Sequence, residues 1–320
     1  MSSRLRGALV WASLAAAIAT GCGDDDSLGG SAVRSGAPLG TGSILSYALA
    51  QRPDELDPLL ATTRSEQTVT RQIHEPLVES LEAPFGEARR QRGLARAWRS
   101  SGDRQIWRFE LRRRVRFQDG TPFNATAVLA NVERWRTLGE GRALLPELVA
   151  ADAPRPDLVR FILSRSATDF PGRLASPRLG IVSPGALRPR SGRAAELLRD
   201  ERSGTGPFEL RERDSDRIVI ARNVEWWGTR AELGPALDQV EFQVVPTAPK
   251  RVALLRGGGA QVADSLPPAA GADVRDDPLL TLVTGSGRRV LGIERSVRGI
   301  ESASAIKSLS GVWLTTLEGE

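Results

Sequence analysis

The chain has one histidine, His74, and one cysteine, Cys22. A lone histidine excludes a multi-histidine metal site and the H-E-x-x-H motif, which need two imidazoles on one metal. A lone cysteine excludes an intrachain disulfide. No G-x-S-x-G elbow and no Walker A loop occurs in the sequence. The segment G-T-G-P-F at 204–208 has the look of a phosphate loop but lacks a third glycine, a following lysine and a helix start. No carboxylate pair stands out by its spacing. His74, beside Pro76, reads as a structural or surface residue and not as a base. With no triad, metal cluster or cofactor loop, the expectation is a binding protein, not an enzyme, with no metal and no cofactor.

Lysine is also scarce. Lys250 and Lys307 are the only lysines among 44 basic residues, and the formal net charge is +5. The arginines are dispersed among 39 acidic residues, and their densest run, 108–116, interleaves with a strand pattern. A solvated basic face explains them, and no nucleic-acid partner is expected.

The N-terminus reads as an address. Arg4 and Arg6 precede an apolar stretch at 8–19 that is too short to span a bilayer as a helix. Ala19-Thr20-Gly21-Cys22 resembles the lipobox of bacterial lipoproteins, in which the cysteine carries the lipid. The expectations are a lipoprotein signal peptide over 1–21, lipidation at Cys22, and a polar, glycine-rich tether over 22–40. They imply an exported chain anchored at the cell envelope. About 280 residues remain, enough for one large domain or two lobes.

Residues 43–50 form an apolar run suited to a buried strand. Pro53 and Pro58 then enforce an irregular loop. Thr63 to Glu66 has the capping-box spacing, and Val69, Ile73, Leu77 and Leu81 continue as one helical stripe. Pro76 lies inside that stripe and predicts a stop or kink. Trp107, Phe109 and Leu111 alternate with charged residues, the mark of a half-buried strand. Asp119-Gly120 predicts a turn, Asn124 a helix cap, and Val128, Leu129, Val132 and Trp135 the buried face of that helix. Further strands are expected at 158–163, 218–222, 240–245, 279–283 and 289–293, and helices at 249–256 and 300–317. Strands and helices mixed without strict alternation indicate an α/β or α+β fold.

Several segments combine into a resemblance. L-D-P at 56–58, I-H-E-P-L-V-E-S-L at 73–81, W-R-F-E-L…V-R-F-Q-D-G-T-P-F at 107–123, G-T-G-P-F, N-V-E-W-W-G at 223–228 and the 244–264 segment occur in order. This succession resembles the family 5 extracellular solute-binding proteins, the peptide, oligopeptide and nickel receptors of ABC importers. The resemblance implies an α/β, type II periplasmic-binding-protein-like fold. Its first lobe would comprise a core subdomain (41–77 and 204–275) and an inserted subdomain (78–203), with 276–320 opening a second lobe that is only partly present. It places cleft loops at Gln51, Arg52 and Pro53, and at Gly204 and Thr205. It sets the 117–135 stretch in the insertion, away from those loops. The implied partners are a peptide or other small solute and a membrane permease, with the chain acting as a monomer. A truncated or repurposed lipoprotein without small-solute binding, acting by protein contact or non-functional, is the alternative.

Overall fold

The computed structural model of the chain describes residues 43–81, 89–188, 202–228, 235, 237–285, 289–294, 297–298 and 313–314. The expected signal, tether and Cys22 lie outside the described residues. Strand β1 (Ile44–Leu49) buries Leu45, Tyr47 and Leu49 on one face and Ala48 on the other. Helix α1 (Arg64–Ile73) starts on the expected capping box: Thr63 Oγ1 accepts from the Glu66 amide, and the Glu66 carboxylate accepts from the Thr63 amide at 2.8 Å.

The stripe of Val69, Ile73, Leu77 and Leu81 does not remain helical. The helix stops at Ile73, and Val78–Leu81 is strand β2, paired with β3 (Arg89–Arg92). Pro76 has no amide to offer the carbonyl one turn back, so a helix cannot carry the stripe further.

The chain then builds β4 (Ala95–Ser100), β5 (Ile106–Leu111), α2 (Ala125–Thr137), α3 (Gly139–Leu144), β6 (Leu148–Arg155), β7 (Leu158–Leu163) and the short α4 (Phe170–Arg173). The four strands β4 to β7 form an antiparallel sheet in the order β4-β5-β7-β6. As the alternation predicts, Trp107, Phe109 and Leu111 are buried. Phe161 meets Phe109 and Phe170 at ring separations of 5.4 Å, edge-on in both cases. Asn124 caps α2 through its side-chain oxygen, and Val128, Val132 and Trp135 bury beneath it.

The remaining elements are β8 (Phe208–Arg213), β9 (Arg217–Arg222), β10 (Gln239–Val244), α5 (Ala248–Arg256), β11 (Val262–Ala263), α6 (Pro268–Arg275), β12 (Leu280–Gly285) and β13 (Arg289–Glu294). They join β1 in a seven-stranded sheet of order β12-β13-β11-β1-β10-β9-β8. The central β1 runs parallel to β10 and β11, and the other pairings are antiparallel. One face packs on Val69 and Ile73 of α1. The other packs Ala48 and Ala263 against Val252 and Leu255 of α5 and Val274 of α6.

Two placements differ from the sequence reading. Strands β12 and β13, expected to open a second lobe, extend this same sheet, because β13 pairs with the otherwise open edge of β11. Of the helix expected over 300–317, only Trp313–Leu314 is described, and it is a short strand paired with Val297–Arg298.

Buried and partly buried polar groups join the two sheets. The Arg134 guanidinium on α2 grips both oxygens of Asp57 in the loop before α1, and both side chains are nearly fully buried. Arg178 donates to the Leu59 carbonyl at 2.7 Å, and Gln118 Nε2 to the Phe208 carbonyl at 2.8 Å. Breaking one half of a buried pair strands a charge in low dielectric. Arg134→Met should therefore lower stability by about 3–5 kcal/mol. The double variant Asp57→Leu/Arg134→Met should lose less than that, as read by urea unfolding.

Candidate functional site

The two expected cleft loops lie in different surroundings. Gln51 and Arg52 follow β1 and are exposed, whereas Pro53 is buried. Arg52 Nε sits 3.2 Å from Asp54 Oδ1, and the Pro53 carbonyl accepts from Arg213 at 3.4 Å. Glu66 holds the far end of this loop, accepting from the Glu55 amide at 3.2 Å and the Thr62 amide at 2.9 Å.

Gly204 and Thr205 are buried. Their loop lies directly on the C-terminal end of α1. The Gly206 amide donates to the Ile73 carbonyl at 2.8 Å. A Cβ on Gly204 would fall 1.9 Å from that same oxygen, so only glycine permits the approach. The Gln118 amide donates to the Gly204 carbonyl at 2.9 Å. The turn at 117–121, expected away from the cleft loops, thus touches one of them. The wide chain separation of Gln118 and Gly204 hid that contact from sequence reading.

Beside this loop, two adjacent titratable side chains are buried. His74 Nδ1 faces the Thr70 carbonyl at 3.3 Å, so that nitrogen carries the proton, and Nε2 accepts from Ser203 Oγ at 2.9 Å. Burial, chiefly, pushes the imidazole pKa down to about 4, with the Thr70 bond opposing and Arg134 adding to the shift. Glu75 receives three donors: Trp227 Nε1 at 2.8 Å and Thr205 Oγ1 at 2.9 Å on one oxygen, and Trp226 Nε1 at 3.2 Å on the other. Burial nevertheless pushes this carboxyl up to about 8, outweighing the bonds that favour its charged form. The two indoles lie 5.3 Å apart, Trp226 buried and Trp227 half-buried, with the Arg112 guanidinium 4.0 Å over the Trp227 ring.

Glu75 was missed by sequence reading. Its only local signal was its place in the I-H-E-P-L segment, and its partners lie 130 and more residues away. Among the described residues no three histidine, cysteine, aspartate or glutamate side chains come together as a metal site. An open, largely apolar hollow of about 410 Å³ beside α5 is lined by Val245, Lys250, Ala253, Leu254, Gly257 and Gly259, and none of the expected cleft residues borders it.

The model for bacterial extracellular solute-binding proteins, family 5 (middle), matches residues 90–297. The chain belongs to this family. It is 29% identical over 228 residues to the probable D,D-dipeptide-binding periplasmic protein DdpA of Escherichia coli K12, covering 70% of this chain and 43% of that protein. It is 28% identical over 219 residues to the glutathione-binding protein GsiB of the same strain, covering 66% and 40%. Among solved structures, the binding protein AgaA in complex with agropinic acid, from A. tumefacien R10, superimposes with a TM-score of 0.65 at 25% identity, over 75% of this chain and 47% of that one. DppA from Helicobacter pylori in complex with the peptide STSA gives 0.63 at 22%, over 75% and 50%. The fold is that of the type II periplasmic binding proteins. The relatives are substrate-binding proteins and not enzymes. The chain spans about two-fifths of the length of these curated relatives.

Gly204→Ala should cost at least about 2 kcal/mol, since backbone must move to admit the methyl group. Gly102→Ala, where nothing lies within 4 Å, should cost far less in the same denaturant titration. The lone histidine gives a second test. Its pKa is depressed when folded, so its contribution to stability is complete above about 6.5 and fades as pH falls through about 4. Its proton resonances should stay unshifted from pH 8 down to pH 5, and a midpoint near 6.5 would refute the buried neutral ring.

Proposed function

We propose that this chain is the extracytoplasmic solute-binding component of an ABC import system for peptides or peptide-like solutes, held at the envelope through lipid on Cys22. The family match over residues 90–297 carries the reading. The names of DdpA and GsiB, and the peptide bound to DppA, support the solute class.

The loops at Gln51, Arg52 and Pro53 and at Gly204 and Thr205 border the solute cleft in this reading. The exposed Gln51 and Arg52 offer side chains to a solute. Thr205 spends its hydroxyl on Glu75, and the Gly204 carbonyl and Gly206 amide are taken by Gln118 and Ile73, so what main chain this loop offers a solute is at Thr205. Main-chain groups suit an extended peptide, whose backbone they pair without selecting side chains.

Calorimetry of the purified chain against a pool of short peptides tests this. The expected result is measurable heat and a raised thermal midpoint, both weakened in Arg52→Ala. No heat and no thermal shift across the pool would overturn the reading and leave action by protein contact.

A further inference from the structure

Glu75 has no counter-charge: among the described residues no cation forms an ion pair with it. Three neutral donors converge on it from two distant segments, Thr205 in the glycine loop and the Trp226–Trp227 pair. The Ile181 amide donates to its main-chain oxygen at 2.9 Å. Among the described residues, the charged or titratable groups facing the cluster are few. His74 precedes it on the α1 cap, with Arg134 of α2 opposing charge on that ring. Glu79 on β2 adds like charge, and Arg112 after β5 spends its face on Trp227 and its Nε on the Gly93 carbonyl at 2.7 Å. The 203–206 loop brings no ionisable side chain.

A neutral carboxylic acid fits this setting. Its O–H has an acceptor in Thr205 Oγ1, whose hydroxyl can turn, and both indole N–H groups still find carboxyl oxygens. An anion there would be buried with no cation paired to it among the described residues. We propose that Glu75, buried where the glycine loop and the tryptophan pair converge, is a positioning residue that as a neutral acid holds both in place, and that its ionisation loosens both. The link from that loop to solute affinity rests on the proposed function. The positioning itself does not.

The sign follows from the direction of the shift. A carboxyl raised from its ordinary 4.5 to about 8 contributes stability that is complete below 4.5 and lost as pH rises through about 8. Above pH 6.5 what is left of the His74 change is small and raises stability, opposite in sign to the loss at Glu75, so a fall between 6.5 and 8.5 reports Glu75.

Infrared spectroscopy of the full chain tests the proposal. A C=O stretch of a neutral carboxyl should be present at pH 6.5, vanish by pH 9.5, and be missing from Glu75→Gln at both. The thermal midpoint of the wild type should fall by about 4 °C or more between pH 6.5 and 8.5, and that of Glu75→Gln should stay level. If Glu75→Gln does not fold, Trp227→Phe serves instead: losing a donor that favours the anion should move the loss of the band to higher pH. A spectrum without the neutral band at pH 6.5, or an unmoved transition in Trp227→Phe, would overturn the proposal. Peptide calorimetry at pH 6.5 and 9 separates the two readings. Affinity that weakens at pH 9 in the wild type alone supports the link to the loop. Absence of binding at both values counts against the proposed function, and the infrared result then decides the role of Glu75.

Discussion

The structure depends on one crossing, where the 203–206 loop lies on the C-terminal end of α1. There the chain leaves the seven-stranded sheet and, roughly 130 residues later, returns to it. Three consecutive residues on the outgoing side are tied to the incoming side: Ile73 accepts from Gly206, His74 from Ser203, and Glu75 from Thr205. Closing so long a loop carries an entropy cost that grows only slowly with length. The site must still hold the two passes in backbone contact, and glycine at 204 and 206 is what permits it. A side chain at either position would meet the α1 carbonyls at under 2.5 Å.

The crossing is polar, yet it keeps its titratable groups neutral. His74 is held down and Glu75 up by the same burial. Ionic attachment is placed elsewhere, in the Asp57–Arg134 pair about one helix away in sequence from the crossing. Arg134 also explains part of the depression of His74, so pair and crossing are electrostatically linked. Neutral hydrogen bonds at the root and one enclosed ion pair beside it hold the four-stranded body to the core.

Local order was legible where local rules decide it. The capping box at Thr63 and Glu66, the alternation through Trp107, Phe109 and Leu111, and the Asn124 cap each settle within a few residues, and each is observed. Strand β6 was not legible, since L-V-A-A-D-A-P-R has little β preference and is held by pairing with β7. The Val69 to Leu81 stripe overruns the helix, since its period of four persists into β2, but Pro76 marked the stop, and the helix ends at Ile73. The family was readable from motifs in series. The carboxyl cluster was not, because Thr205 and the two tryptophans reach Glu75 only through the fold.

The family supplies a solute-binding ancestry, and the crossing supplies a hydrogen-bonded floor on which one proposed cleft loop rests. Hydrogen exchange read segment by segment tests that floor most directly. The amides of His74 and Gly206 should exchange only with global unfolding, as slowly as those of the central strand β1. Exchange of His74 and Gly206 while β1 remains protected would show that the crossing opens on its own, and would contradict the account.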